Sequence, residues 1–93
     1  MNEAVASKTM AIFHIEIRVM PRTGLLDPQG QAVEHALTEL AFDGVSSVRV
    51  GRAIEVGVAA DSLEDAEDAT RRMCQRLLAN PVTEDFLIEV DPA

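Results

Sequence analysis

The chain has 93 residues, 47% of them apolar, which suits one folded domain with a single modest core and excludes a disordered polymer. Eight Lys and Arg stand against sixteen Asp and Glu, for a net charge of −8, and there are three Phe with no Trp or Tyr. Such a surface neither neutralises phosphates nor stacks bases, so nucleic-acid binding is excluded.

No run approaches the roughly 18–20 apolar residues of a membrane helix. No charged segment leads into the apolar stretch of a signal peptide either, so a cytoplasmic protein is expected. The single Cys74 has no partner for a disulfide, and no Cys or His lies at metal-ligand spacing around it.

Residues 1–9 are small and polar without periodicity and read as a disordered leader, leaving 10–93 as one α+β domain. Phe13, Ile15, Ile17 and Val19 then alternate with His14, Glu16 and Arg18, the period of a half-buried strand. Pro21 to Gly24 end it. Asp27-Pro28 opens a helix, because the carboxylate can accept first-turn amides and proline loses no hydrogen bond there. Ala32, Val33, Ala36, Leu37 and Leu40 follow helical spacing, and Gly44 offers a left-handed stop. Ser62 with Asp65 caps a second helix, with an expected buried stripe of Leu63, Ala66, Ala69, Thr70, Met73 and Leu77. Asn80-Pro81 terminates it, and a last strand covers Phe86 to Val90.

Between the helices, Val48, Val50, Ile54, Val56 and Val58 all carry even numbers. A three-residue hairpin loop from Gly51 to Ala53 pairs Val50 with Ile54 and Val48 with Val56, keeping one apolar face. A two-residue loop would mix the faces. One continuous strand over 45–59 would instead be about 50 Å long, more than the roughly 25–30 Å of a compact globule of this length, and would reach another subunit. The hairpin is the expected form, with strand exchange in an oligomer as its alternative.

The resulting order, β-α-β-β-α-β, is that of a ferredoxin-like sandwich: an antiparallel sheet with two helices on one face. His14, Glu16, Arg18, Arg49, Glu55, Gly57, Leu87 and Glu89 would form the other face. Neither His14 nor His35 has a nucleophile beside it in sequence, and Cys74 reads as a small buried thiol. Glu64, Asp65, Glu67 and Asp68 read as a solvated first helical turn. No Gly-rich phosphate loop occurs. The residues assemble no active site, which leaves an effector-binding domain or an acylphosphatase-like enzyme as open readings.

The run Gly24-Leu25-Leu26-Asp27-Pro28-Gln29-Gly30, continued by Ala32 to Leu37, resembles the PurS family, the small subunit of phosphoribosylformylglycinamidine synthase. Val48-Arg49-Val50-Gly51-Arg52 and Asn80-Pro81-Val82 follow in that family's order, and the likeness spans Met10 to Val90. Arg52 stands where the family commonly has Lys. The resemblance implies a non-catalytic subunit that bridges a synthetase and a glutaminase subunit, as a homodimer or tetramer. It implies no cofactor in this chain, with ATP and magnesium used by the complex on formylglycinamide ribonucleotide. Gly24, Leu25, Asp27, Pro28, Gly30, Arg49, Gly51 and Arg52 become candidate partner-interface residues. Nothing local in the sequence calls for the charges of Arg49 and Arg52, which assigns them to partner contacts.

Overall fold

The computed structural model describes residues 10–90. The expected leader lies outside the described residues. Strand β1 (Ala11–Pro21) leads to helix α1 (Pro28–Glu39), strand β2 (Arg52–Ala60), helix α2 (Leu63–Met73) with a π turn at Cys74–Leu78, and strand β3 (Glu84–Val90). The sheet is antiparallel in the order β2-β1-β3. This is the ferredoxin-like α+β class, with three strands in the sheet rather than four.

The alternation in β1 fixes which face is buried. Ile15, Ile17 and Val19 are fully covered and sit between two neighbours, with Ile17 opposite both Ile54 and Ile88. Each such side chain contributes about 1.5–3 kcal/mol. Val58, Ala60, Ala66, Cys74 and Ala79 complete the core. On the reverse face Glu16 stands opposite Glu55 on one side and Glu89 on the other.

The hairpin at Gly51 to Ala53 does not form. Residues 45–51 run into β2 without a turn or bend, and no strand among the described residues pairs with them. The evenly numbered apolar face is real, but it belongs to one long extended segment. The chain reverses only if the 45–50 limb gains more from pairing with its own β2 than it loses by bending. Here that limb is held elsewhere, against the start of α1.

Helix α1 ends sooner than expected. Its last turn closes with Ala41 N–H donating to the Thr38 carbonyl and Phe42 N–H to that of Leu37, at 3.0 and 3.1 Å. The left-handed residue is Ala41, at φ 73°, rather than Gly44. Gly30 is the one buried residue of α1. Val33, Leu40 and Phe42 are exposed, so α1 is not a cover for its own sheet, and α2 alone serves as one.

The buried stripe of α2 also differs. Ala66, Thr70 and Cys74 are buried, whereas Leu63, Met73 and Leu77 are exposed. The π turn, closed by Ala79 N–H on the Cys74 carbonyl at 3.0 Å, underwinds the helix. Leu78 and Ala79 therefore come round to the sheet, and Leu77 points away. Thr70 satisfies its buried hydroxyl on the Ala66 carbonyl at 2.8 Å. Cys74 is the buried thiol expected, and burial pushes its pKa up.

Candidate functional site

Pro28 at the first helical position and Asp27 before it start α1 as the sequence anticipates. The Asp27 carboxylate does more than cap. One oxygen accepts from Gly30 N–H and the other from Val50 N–H, twenty-three residues away, both at 3.0 Å. The pin thus joins the helix start to the extended limb. Those two amides, Val50 first, hold the Asp27 pKa below the ordinary carboxylate value, and the Arg49 charge adds to the effect.

Two glycines let the backbones meet. A Cβ on Gly30 would lie 2.3 Å from the Val48 carbonyl oxygen, and one on Gly51 would lie 2.2 Å from that of Val19. Gly24 turns the preceding loop at φ 89°, in the left-handed region.

Arg52 donates to both carboxylate oxygens of Glu84, at 2.7 and 3.1 Å, and to the Leu78 carbonyl. Glu84 also accepts from Asn80 N–H at 2.7 Å. Arg52, then the Asn80 amide, hold the Glu84 pKa down. Arg49 donates to the Pro21 carbonyl. Nothing local required these arginines, but both have partners within the chain that the sequence reading did not foresee. Their partners lie 28 and 32 residues away in sequence, so local pattern carried no trace of them.

These groups border an open cleft of about 420 Å³. Of the residues singled out from sequence, Leu25, Asp27, Gly51 and Arg52 line it. Gly24, Pro28 and Gly30 sit in the adjoining loop and helix turn, and Arg49 one residue before the lining Val50. Leu26, Gln29, Thr83 and Glu84 also line it and were missed. The Leu-Leu pair was the available signal: Leu26 precedes the cap and is 74% exposed, unusual for a large apolar side chain with no core role. The cleft's charged groups are spent on one another and on backbone, so it is built to present a shape with an apolar lip.

His14 lies apart, in a hollow of about 540 Å³ on the open sheet face with Glu16, Arg18, Glu55 and Glu89. His35 faces Glu39 on α1 at 3.7 Å. Among the described residues no group of three His, Cys, Asp or Glu is placed to hold a metal ion, and no helix is long and apolar enough to cross a membrane.

Acid should loosen this site. Asp27 and Glu84 bind protons less readily in the folded chain than in the unfolded one. They therefore stabilise the fold above the ordinary carboxylate pKa of about 4, and that contribution is lost as pH falls through their lowered values. The melting temperature should drop below about pH 4, and less steeply in Asp27→Asn. Parallel pH curves for the two proteins would show that the pin carries no such linkage.

Comparison with known proteins matches residues 14–92 to the family model for PurS, phosphoribosylformylglycinamidine (FGAM) synthase. The PurS subunit of the Synechocystis enzyme is 41% identical over 78 residues, spanning 84% of this chain and 78% of that one. The Bacillus subtilis PurS subunit is 36% identical, spanning 86% and 94%. Among solved structures, the Thermotoga maritima purS subunit superposes with a TM-score of 0.81 at 30% identity, over 88% of this chain and 94% of that one. A PurLQS structure from the same organism superposes with a TM-score of 0.81 at 31% identity, over 87% and 99%. Matched by the family model over residues 14–92 and by relatives 36–41% identical over most of its length, the chain is a member of the PurS family.

Proposed function

We propose that this chain is the small subunit of an FGAM synthase, a ligase complex of purine biosynthesis, and bridges its synthetase and glutaminase subunits. The observation that carries this reading is the likeness, over 87% of the chain, to a PurS-containing assembly, PurLQS. On this reading the chain has no active site of its own. ATP and magnesium serve the synthetase subunit, which converts formylglycinamide ribonucleotide with ammonia from the glutaminase, in the cytoplasm. The cleft supports such a role, since its charged side chains are already engaged and its lip is apolar.

The partner contact falls on the loop Gly24, Leu25, Asp27, Pro28 and Gly30 and on Arg49, Gly51 and Arg52. Leu25 and Leu26 make the direct contact; Asp27, both arginines and the glycines hold its shape. The chain also acts as a homo-oligomer, because Val33, Leu40 and Phe42 on and just beyond α1 are too exposed for a subunit that works alone.

The test is reconstitution from purified synthetase, glutaminase and this chain. The three together should form FGAM from glutamine, and omission of this chain should abolish that activity. Leu26→Asp should keep its melting temperature within about 4 °C, since exposed substitutions stay within about 0.5 kcal/mol, yet fail to restore activity. Full activity without the chain would overturn the bridging role. Full activity with Leu26→Asp would move the contact off the cleft.

A further inference from the structure

Of the described Asp and Asn residues, only Asp43 is followed by glycine, in the link between α1 and the extended limb. Asp43 and Gly44 are both exposed, at a turn. Among the described residues neither the Asp43 carboxylate nor the Gly44 N–H has a hydrogen-bond or ion-pair partner. Nothing lies within 4 Å of the place a Cβ on Gly44 would take. We propose that Asp43-Gly44 is a site of spontaneous backbone modification: the aspartyl residue closes to a succinimide and reopens as an isoaspartyl residue, which a carboxyl methyltransferase can esterify.

The chemistry needs only this chain and water. The Gly44 nitrogen attacks Cγ of the Asp43 carboxyl in its acid form. An N–Cγ bond forms, the Cγ–OH bond breaks, and the hydroxyl leaves as water with the proton of the nitrogen. A second water then adds to one of the two ring carbonyls. Opening at Cγ restores aspartate. Opening at the α-carbonyl instead sends the main chain through Cβ and Cγ and leaves the α-carboxylate as a side branch. One water departs and one returns, with no change of oxidation state. In the esterification a methyl group passes from S-adenosylmethionine to an oxygen of that α-carboxylate, leaving S-adenosylhomocysteine.

The fold sets this residue apart from the others that could react. Asp27 and Asn80 precede prolines, which have no N–H to attack with. Asp65 precedes Ala66, whose N–H is held by the Ser62 carbonyl at 3.0 Å, and Asp68 also lies within α2. Asp85 sits in β3 and pairs with Arg22 at 3.3 Å. Asp61 precedes Ser62, which is fixed as the cap of α2 by the Asp65 N–H at 3.1 Å. Gln29 precedes a glycine too, but the Gly30 N–H is bonded to Asp27 at 3.0 Å.

Gly44 has no such restraint, and without a Cβ it can turn its nitrogen onto the preceding carboxyl. The link also tolerates the product. Its fixed points are the Phe42 N–H on the Leu37 carbonyl at 3.1 Å and, beyond it, the Val50 N–H on Asp27. The extra main-chain atom falls between them, so α1 and the limb keep their places.

The test is to age the folded, full-length protein at neutral pH and count isoaspartyl groups. The count is the label that a purified isoaspartyl methyltransferase transfers from S-adenosylmethionine, and fragmentation mass spectrometry places it. Label should grow with time and lie at residue 43. Gly44→Ala, which leaves the melting curve nearly unchanged, should slow its growth about tenfold, a barrier difference of about 1.4 kcal/mol. No label in the folded protein, under conditions where a peptide of residues 40–48 gains it, would mean that the fold holds the link shut and would overturn the proposal. Label at Asp61 in place of Asp43, or equal growth in Gly44→Ala, would overturn it as well.

Discussion

Replacing Gly51 with alanine should lower the melting temperature by roughly 10 °C, whereas Gly44→Ala should change it little. The new methyl carbon of Gly51→Ala would sit 2.2 Å from the Val19 carbonyl oxygen and 2.3 Å from the Met20 sulfur. The thioether can swing aside, but the carbonyl belongs to the central strand and cannot. The start of β2 must therefore lift from β1, and overpacking of that kind costs about 1–3 kcal/mol. For a domain of this length each kcal/mol moves the midpoint by about 4–8 °C. At Gly44 nothing lies within 4 Å of the equivalent position. Equal melting curves for the two variants, at one protein concentration, would show that the close approach at Gly51 relaxes without strain.

Arg52→Glu should destabilise the isolated chain by about 1–2 kcal/mol, a range set by charged hydrogen bonds near 1.5–3 kcal/mol and discounted for solvent screening at a half-exposed side chain. The change removes the bonds to Glu84 and to the Leu78 carbonyl, which tie the start of β2 to the end of the π turn and the start of β3. It also sets a carboxylate against Glu84, and at neutral pH carboxylates of ordinary pKa, about 4, are both ionised. Adding Glu84→Gln should recover part of the loss by removing the repulsion. An unchanged melt for Arg52→Glu would return the arginine to the role first read from the sequence, a side chain held ready for a partner. Measured on the isolated chain, the experiment separates that role from a structural one, which activity of the complex alone would not.

The elements themselves were legible because each rests on a local pattern. The period of two from Phe13 to Val19 gave β1 and its buried face, and Asp27-Pro28 and Ser62 gave both helix starts with the capping oxygens where they are observed. Gly24 to Gly30 marked the loop that borders the cleft, and the even numbering of Val48 to Val58 marked one apolar face. The family resemblance rested on the same runs.

Tertiary structure decided what those patterns left degenerate. An even-numbered apolar face is the same for a hairpin and for a single long strand, and it is the pin from Asp27 to Val50, the seat of Val48 on Gly30 and the bond from Arg49 to Pro21 that hold the limb away from its own β2. The stop of α1 at Ala41 rather than Gly44 depends on the closing bonds of its last turn, and the phase of α2 on a π turn that no residue spacing signals. Arg49 and Arg52 found their partners across the fold, at Pro21, Leu78 and Glu84. The sequence by itself determined β1 and its buried face, the even-numbered apolar face of β2 and both helix starts, because hydrophobic period and capping act over a few residues. The bearing of the limb, the purpose of the arginines and the composition of the cleft were settled by contacts between residues 18 to 32 apart, where only the folded backbone brings the partners together.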